Sequence, residues 1–514
     1  MLYLFVMKRL KLSEFPFYPP LFAIFPVIAA LGVNIREVYF KAGLRSLLIA
    51  AGIGIILFLT FWLITRKTPL AGLLSLWFIV LFFSYGYAFE ENSGLIVWGL
   101  IWLVGCVLMI KLVKVDGRLS LVLNVVALFL LITPLFQIIS FGLNQQKANQ
   151  EAQQMLSTQQ LTLPDAPPDV YLIVLDSHLR SDVLLETFDL DNSAFTNELE
   201  SMGFNVLDCS MSNYAYTPLS MSSMLNMDYI STLAPELQLP KTDRTLLFEL
   251  IKQSSLRRSL EEIGYSTYNL VSYQPLAWED ASHYIATDAD SISNSSQAVI
   301  VNSFESMVSE PTLVKPLLQI MAKHVQSDSF VPLDYLYADD ARQQLFIQDK
   351  LTEIVPDRGP KFVFAHVNIP HPPYVFNADG SLIEDPPPLP WVTPISWEDY
   401  LTYYSNHVQY IDSAILPIIK NILNSSDNPP VIVIVGDHGA DSANRLGILS
   451  AYYLPKNLAD NIPEDTSLVN SFRYVFNLVF KADLPTLENN SYLSTQTEPF
   501  DFTSYPETMP NCTN

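Results

Sequence analysis

The chain has 514 residues, too many for one ordinary hydrophobic core, so at least two structural units are expected. Its formal net charge is −23, and the residues after Lys147 include 17 basic and 47 acidic side chains. A surface this acidic repels nucleic-acid phosphates and anionic lipid headgroups. The composition therefore argues against nucleic acid as a partner and against docking through headgroup charge.

The first 145 residues contain apolar segments that predict a transmembrane region of five helices. Stretches such as SLLIAAGIGIILFLTFWLIT have no polar face at helical spacing, which a buried helix of a soluble protein would usually have. Each segment is long enough, or nearly so, to cross about 30 Å of hydrocarbon. The predicted spans are 17–32, 44–64, 69–89, 93–112 and 119–141.

Lysine and arginine in the short loops predict the orientation. With the N-terminus in the cytoplasm, eight basic residues lie on the cytoplasmic side and four on the outer side, as the positive-inside rule requires. An odd number of spans then places everything after residue 141 outside the cytoplasm. We therefore expect an integral protein of the plasma or inner membrane, in contact with membrane lipids.

The sequence after residue 145 is predicted to form a polar connector at 146–167, an α/β domain at 168–485 and a polar tail at 486–514. In the domain, apolar runs such as VYLIVL, KFVFAHV and VIVIV alternate with helix-like stretches. This alternation predicts a largely parallel central sheet covered by helices. Cys106 lies in an apolar run, and a bridge between Cys209 and Cys512 remains open.

Polar residues follow three of the predicted strands. Asp176 ends the first run, His366 ends the second with His371 shortly after, and Asp437 and His438 follow the third. Because the carboxyl ends of parallel strands meet at one edge of a sheet, these residues are expected to form one site. Taken alone, Asp176 could instead cap the next helix. The glycines on either side of the Asp-His pair suit a loop whose backbone closely approaches an ion.

The segments VLDSHLR, TPLS, HPP and GDHG, in this order, resemble the sulfatase and alkaline phosphatase superfamily. The resemblance covers roughly residues 168–484. Five spans before an outward-facing domain also resemble lipoteichoic acid synthases and related phosphoglycerol transferases. The resemblance implies an alkaline-phosphatase-like α/β domain and a metal-dependent hydrolase or transferase.

Carried onto this sequence, the family's motifs imply Asp176, Asp437 and His438 as metal ligands. Thr217 falls where the nucleophile belongs and would be a further ligand. Ser220 is the nearest rival hydroxyl and a candidate for substrate binding. For both hydroxyls, ordinary helix capping is the alternative.

The TPLSM segment separates two kinds of ester chemistry. Sulfatases form formylglycine from Cys or Ser within a C/S-x-P-S-R pattern, whereas this chain has Thr217, which cannot be converted, and Met221 at the arginine position. A threonine hydroxyl is a poor nucleophile unless a cation stabilises its alkoxide. Phosphoester chemistry is therefore favoured over sulfate-ester hydrolysis.

Three further residues are candidates for contact with the substrate. His371 would bind the substrate or protonate its leaving group, with an exposed turn histidine as the alternative. His366 would bind substrate or be a core histidine. Arg180 would bind the ester anion or form a salt bridge on a helix face.

Three oxygen donors and one imidazole predict one divalent metal ion, and the sequence does not choose among Mn, Mg, Zn and Ca. The favoured function is a membrane-anchored, extracytoplasmic enzyme that cleaves or transfers phosphoester groups of envelope or lipid-linked anionic substrates. One alternative is a sulfuric ester hydrolase. The alternative of another class is an inactive membrane sensor or scaffold that retains the fold.

Overall fold

The computed structural model forms two compact units, Met1–Leu143 with Ala298–Ala338, and Asn144–Gln297 with Asp339–Asn514, called here the first and second units. The residues that it describes are 15–38, 40–89, 94–112, 117–235, 243–285, 302–317, 337–390, 393–440, 444–495 and 497–505.

The helices and strands follow the predicted succession of apolar helices and then an α/β region. In chain order the helices are α1 (Tyr18–Asn34), α2 (Leu44–Thr65), α3 (Thr68–Ser84), α4 (Leu95–Leu112), α5 (Gly117–Met155), α6 (Ser181–Phe188), α7 (Ser193–Ser201), α8 (Thr217–Asn226), α9 (Ile230–Leu233), α10 (Thr245–Lys252), α11 (Ser255–Glu262), α12 (Ser303–Ser309), α13 (Ala338–Glu353), α14 (Trp397–Ser425) and α15 (Leu468–Phe480). The strands are β1 (Val170–Leu175), β2 (Asn205–Val206), β3 (Ser266–Val271), β4 (His283–Tyr284), β5 (Lys361–Val367), β6 (Val431–Val435), β7 (Ser450–Tyr453), β8 (Tyr492–Leu493) and β9 (Thr503–Ser504).

Helices α1 to α5 lie at the five predicted apolar segments. Among the described residues, three helical segments are long and apolar enough to cross a membrane, namely Phe40–Thr65, Thr68–Tyr87 and Gly117–Met155. The other two, Tyr18–Asn34 and Leu95–Lys111, are shorter. A helix rises about 1.5 Å per residue, so each of these two falls a few ångströms short of about 30 Å. By this measure the structure has three candidate spans rather than the five predicted.

Helix α12 belongs to the first unit, although its sequence lies inside the segment predicted as the α/β domain. Asn302 caps the helix by accepting the Glu305 N–H at 2.8 Å, and its side chain donates to the Ala42 carbonyl at 3.1 Å. Arg45 Nε donates to the Glu305 carboxylate at 2.6 Å. The buried Phe304 packs in an apolar cluster with Val27, Leu31 and Ala50.

The second unit is built on a mixed sheet, which within the described residues has the strand order β2-β7-β6-β1-β5-β3-β4. The pairs from β6 through β4 are parallel, whereas β7 is antiparallel to both of its neighbours. The largely parallel centre agrees with the predicted sheet, and the reversed β7 makes the sheet mixed. All residues of β1, β5 and β6 are buried, as expected for central strands covered on both faces.

Segments outside the sheet are tied to the second unit by polar contacts. At the end of α5, Gln145 and Asn149 donate to the Glu249 carboxylate at 3.2 and 2.8 Å. In the C-terminal tail, β8 pairs with β9, and the Tyr492 N–H donates to the Asn213 carbonyl at 2.9 Å. Cys209 is disulfide-bonded and Cys106 is free, while Cys512 lies outside the described residues.

Candidate metal centre and active site

The central strands bring three predicted ligands to one edge of the sheet. Strand β1 lies between β5 and β6, and Val174 is in register with both His366 and Val435. Asp176 follows β1, and Asp437 and His438 follow β6. One ligand atom from each of Asp176, Asp437 and His438 lies within 4.8 Å of the other two, and all three residues are buried.

Thr217 completes this cluster from a different element. It is the first residue of α8, the residue is 9% exposed, and its Oγ1 lies 3.1 Å from His438 Nε2. A helix N-terminus carries a partial positive charge that favours negative charge on a nearby oxygen. The position of Thr217 therefore favours a developing alkoxide.

The hydrogen bonds of His438 fix which ring nitrogen can bind a metal. Nδ1 lies 2.9 Å from the Gly439 carbonyl, which can only accept, so Nδ1 carries the proton. Nε2 then has a free lone pair that can bind a cation. This atom lies 3.1 Å from Thr217 Oγ1, 3.7 Å from Asp176 Oδ1 and 3.6 Å from Asp437 Oδ2. A second contact that orients a ligating histidine in this way is usual in metal sites.

Ser177 connects the ligands, and the sequence analysis did not identify this role. Its N–H donates to Asp437 Oδ1 at 3.1 Å, and its hydroxyl donates to Asp176 Oδ1 at 3.1 Å. The same hydroxyl lies 3.3 Å from His438 Nδ1. Ser177 has φ of 69°, an uncommon conformation for a non-glycine residue and one that occurs at functional sites. The signal in the sequence was only its place next to Asp176.

The two carboxylates differ in their electrostatic environment. Burial, and then the charge of Asp437, raise the pKa of Asp176 well above its ordinary value. Burial also raises the pKa of Asp437, but the positive charges that His438 and His366 carry when they are protonated outweigh it, so that this pKa is lowered. Burial lowers the pKa of His438, which keeps the imidazole neutral and able to bind a cation.

Neighbouring atoms leave no room for a side chain at either glycine of GDHG. A Cβ on Gly436 would lie 2.2 Å from the His178 carbonyl oxygen. A Cβ on Gly439 would lie 2.1 Å from Leu179 Cδ2 and 2.7 Å from the Arg445 carbonyl oxygen. Any other residue would displace the loop that presents Asp437 and His438.

His371 and His366 both lie near the cluster. The His371 N–H donates to the Asp176 carbonyl at 3.0 Å, and its ring centroid is 6.4 Å from that of His438. Burial lowers the pKa of His371 to about 4, and its Nδ1 lies 2.6 Å from the Pro372 carbonyl. His366 is fully buried, its Nε2 lies 3.6 Å from Asp176 Oδ2, and burial lowers its pKa to about 4.

Arg180 and Ser220 face other groups. Arg180 Nε and Nη2 donate to the Asp182 carboxylate at 2.6 and 2.8 Å, and Nη1 donates to the Ser210 carbonyl at 2.9 Å. These are the contacts of a salt bridge, the alternative given above for Arg180. Ser220 Oγ donates to the carbonyls of Tyr216 and Thr217 within its own helix.

Two other buried histidines position the loops of the site. His178 Nε2 lies 2.8 Å from Asp412 Oδ1 and its Nδ1 lies 2.9 Å from the Leu179 carbonyl, which ties the segment after Asp176 to α14. His407 Nε2 accepts the N–H groups of Val375 and Phe376 at 2.9 and 3.1 Å and so fixes the loop after His371. No motif around His178 or His407 indicated these roles in the sequence.

The donor set suits a divalent cation. Two carboxylates, one neutral imidazole and one hydroxyl are ligands that Mn, Mg and Zn accept. Within the described part of the chain, the buried Oδ2 of Asp437 has no hydrogen-bond partner. A buried carboxylate oxygen in this position is expected to have a compensating charge, and a cation between the carboxylates would supply it.

No family model matches the chain, and no curated protein matches it. Among solved structures it is similar to the C-terminal periplasmic domain of EcEptC from Escherichia coli in complex with Zn, with 14% identity, 69% of this chain and 98% of that chain covered, and a TM-score of 0.41. It is also similar to the integral membrane protein lipooligosaccharide phosphoethanolamine transferase A (EptA) from Neisseria meningitidis, with 12% identity, 90% and 95% covered, and a TM-score of 0.40. A protein in the alkaline phosphatase superfamily from Vibrio parahaemolyticus has 9% identity, 68% and 82% covered, and a TM-score of 0.38.

One of these structural neighbours is described as a protein in the alkaline phosphatase superfamily, and another as an integral membrane phosphoethanolamine transferase. The resemblance to phosphoglycerol transferases stays a prediction. At such low identities and TM-scores, the activity of this chain has to be inferred from its own site.

Proposed function

We infer that this chain is a membrane-anchored, metal-dependent phosphoester hydrolase or transferase whose catalytic unit faces away from the cytoplasm. The observation that carries the proposal is the 3.1 Å contact between Thr217 Oγ1 and His438 Nε2, within a buried cluster that holds two carboxylates. A hydroxyl at a helix N-terminus beside such a cluster is the arrangement of an activated nucleophile.

Four side chains would hold the metal: Asp176, Asp437, His438 and Thr217. When bound, a divalent cation would stabilise the Thr217 alkoxide and withdraw charge from a phosphoryl oxygen. Its identity among Mn, Mg, Zn and Ca is left to experiment. Buried Ser177 keeps both carboxylates oriented, so that little rearrangement accompanies the reaction.

The proposed reaction has two covalent steps at Thr217. Its oxygen forms a bond to phosphorus while the bond from phosphorus to the leaving oxygen breaks, and the hydroxyl proton passes to solvent. The phospho-threonine then reacts with water or an acceptor alcohol, which releases the phosphoryl group and restores Thr217 after one proton returns to it.

His371 is proposed to act as the general acid for the leaving oxygen and as the general base for the incoming water or alcohol. Its Nδ1 proton is directed to the Pro372 carbonyl, which leaves Nε2 to exchange a proton with substrate. Burial lowers its pKa to about 4, and an anionic substrate next to the ring would raise it again. The imidazolium would protonate the leaving oxygen, and the neutral ring would accept a proton from the incoming water or alcohol.

Anchoring favours an envelope or lipid-linked substrate. Helices that hold the enzyme at the membrane confine it to the same surface as such a substrate, which raises the effective concentration. Threonine at the nucleophile position weighs against sulfate esters.

The test uses purified full-length protein in detergent with a chromogenic phosphodiester, a phosphomonoester and a sulfate ester, each with Mn²⁺, Mg²⁺ or Zn²⁺. We expect turnover of a phosphoester, a loss of about 10³-fold or more in Thr217→Ala, and activity retained in Thr217→Ser. Ser220→Ala is the matched control and should remain active. If wild type and Thr217→Ala are equally inert with every ester and metal, the enzyme hypothesis is wrong.

A further inference from the structure

The proposed reaction needs a cation that receives the anionic oxygens of the substrate, and Arg180 is occupied by Asp182. Arg445 is a second arginine beside the cluster. It follows the GDHG loop, and its side chain is half-buried, whereas Arg180 is 3% exposed. No motif singled it out in the sequence.

The main chain of Arg445 is attached to the loop of the metal ligands. The Gly439 N–H donates to the Arg445 carbonyl at 2.5 Å, and the absence of a side chain on Gly439 allows this approach. Gly439 directly follows His438. The backbone of Arg445 is therefore held next to the His438 side of the cluster.

The side chain of Arg445 lies on the segment that carries the nucleophile. Nη2 donates to the Ala215 carbonyl at 2.7 Å, and the guanidinium carbon lies 5.0 Å from the centroid of the Tyr216 ring. Ala215 and Tyr216 are the two residues before Thr217. A cation over an aromatic face is held in a defined orientation, so the guanidinium is fixed against the segment that leads into the reacting hydroxyl.

A guanidinium has five N–H donors in a planar fork, so one arginine can contact a backbone carbonyl and a phosphoryl group together.

We propose that Arg445 binds the non-bridging oxygens of a phosphoryl group held at Thr217, which makes the substrate class an anionic phosphate ester. The proposal rests on the proposed function. It assigns the anion-binding role to a residue of the loop after β6, next to the metal ligands and the nucleophile, and leaves Arg180 as a structural ion pair.

The test compares Arg445→Gln and Arg445→Lys with Arg358→Gln in full-length protein with Mn²⁺. Arg358 is exposed and precedes β5, at the opposite end of that strand from the site. Three quantities are measured: kcat and KM for a chromogenic phosphodiester, the affinity for inorganic phosphate, and the rise in Tm caused by Mn²⁺.

In Arg445→Gln we expect kcat/KM and phosphate affinity each to fall roughly 10- to 100-fold, as for loss of a charged hydrogen bond. The Mn²⁺-induced rise in Tm should be retained. Arg445→Lys should be intermediate, because it keeps the charge without the fork, and Arg358→Gln should match wild type.

Three results would overturn the assignment. The first is that Arg445→Gln has the kinetics and the phosphate affinity of the wild type. The second is that this variant loses the Mn²⁺-induced rise in Tm, which would mean that Arg445 has a structural role. The third is that the wild type binds no phosphate. If Arg445→Gln matches wild type while Thr217→Ala is inactive, only the assignment fails. If wild type turns over no ester, the proposed function fails, and phosphate affinity alone then decides the role of Arg445.

Discussion

Asp176→Asn is predicted to stabilise the metal-free protein while removing metal binding. The ligand oxygens of Asp176 and Asp437 lie within 4.8 Å of each other, so two ionised carboxylates repel by about 3.5 kcal/mol at an effective dielectric constant of 20. Asparagine removes one charge and keeps an oxygen that can accept the Ser177 hydroxyl.

Partial protonation of Asp176 in the wild type weakens this repulsion. We therefore expect Asp176→Asn to raise the free energy of unfolding by about 2 kcal/mol, which corresponds to a rise in Tm of about 4 °C. The direction in which the stability of the metal-free protein changes with pH follows from the raised pKa of Asp176. The carboxyl favours the folded state while protonated, and this contribution is lost as pH rises from 3.8 through the raised value. The gain from Asp176→Asn is therefore larger at pH 8 than at pH 5.

The assay is thermal unfolding in detergent, with EDTA or with Mn²⁺. A cation at 100 times its dissociation constant stabilises the wild type by about 2.7 kcal/mol, and Asp176→Asn should lose most of this increase. The exposed Asp385→Asn is the control and should behave as wild type. A lower metal-free Tm in Asp176→Asn, or a Mn²⁺-induced rise in Tm that is retained in this variant, would contradict the prediction.

Three further predictions concern other parts of the chain. Gly436→Ala places a methyl group 2.2 Å from the His178 carbonyl oxygen and should abolish the Mn²⁺-induced Tm rise together with phosphoesterase activity. Lys361→Met leaves the Asp169 carboxylate without its 2.6 Å ion pair and should cost about 3 kcal/mol, seen as a lower Tm. Phe304→Ala removes a buried ring from the first unit and should speed protease cleavage within α12.

The last two predictions have matched controls. Lys350→Met breaks a more exposed ion pair with Glu353 and should leave Tm nearly unchanged. Met307→Ala changes an exposed residue of α12 and should not alter its cleavage. Equal effects of variant and control would contradict the corresponding prediction.

Much of the site was predictable because its signals are local in the sequence. Apolar runs rich in β-branched residues specify buried parallel strands, and the runs of β1 and β6 are followed by the polar residues that lie at the sheet edge. This is why Asp176, Asp437 and His438 could be grouped from the sequence. Thr217 came only from the resemblance, since a threonine at the start of a helix has no local signal for chemistry.

What could not be predicted depends on long-range or conformational detail. The role of Ser177 requires its positive φ, which its residue type does not indicate. Arg445 contacts the Thr217 segment only through the tertiary fold, and its neighbours in the sequence form no motif. The pairing of Arg45 with Glu305 spans 260 positions, so nothing in either local pattern indicated it. The short β7 gave no signal of its direction.

The most direct test of Thr217 as the nucleophile is mass spectrometry of enzyme quenched during turnover of a phosphodiester with Mn²⁺. We expect a phospho-adduct on the peptide that contains Thr217, located to Thr217 by fragmentation and absent from Thr217→Ala. Active enzyme with the adduct on Ser220, or with an adduct that persists in Thr217→Ala, would contradict the claim that Thr217 is the nucleophile.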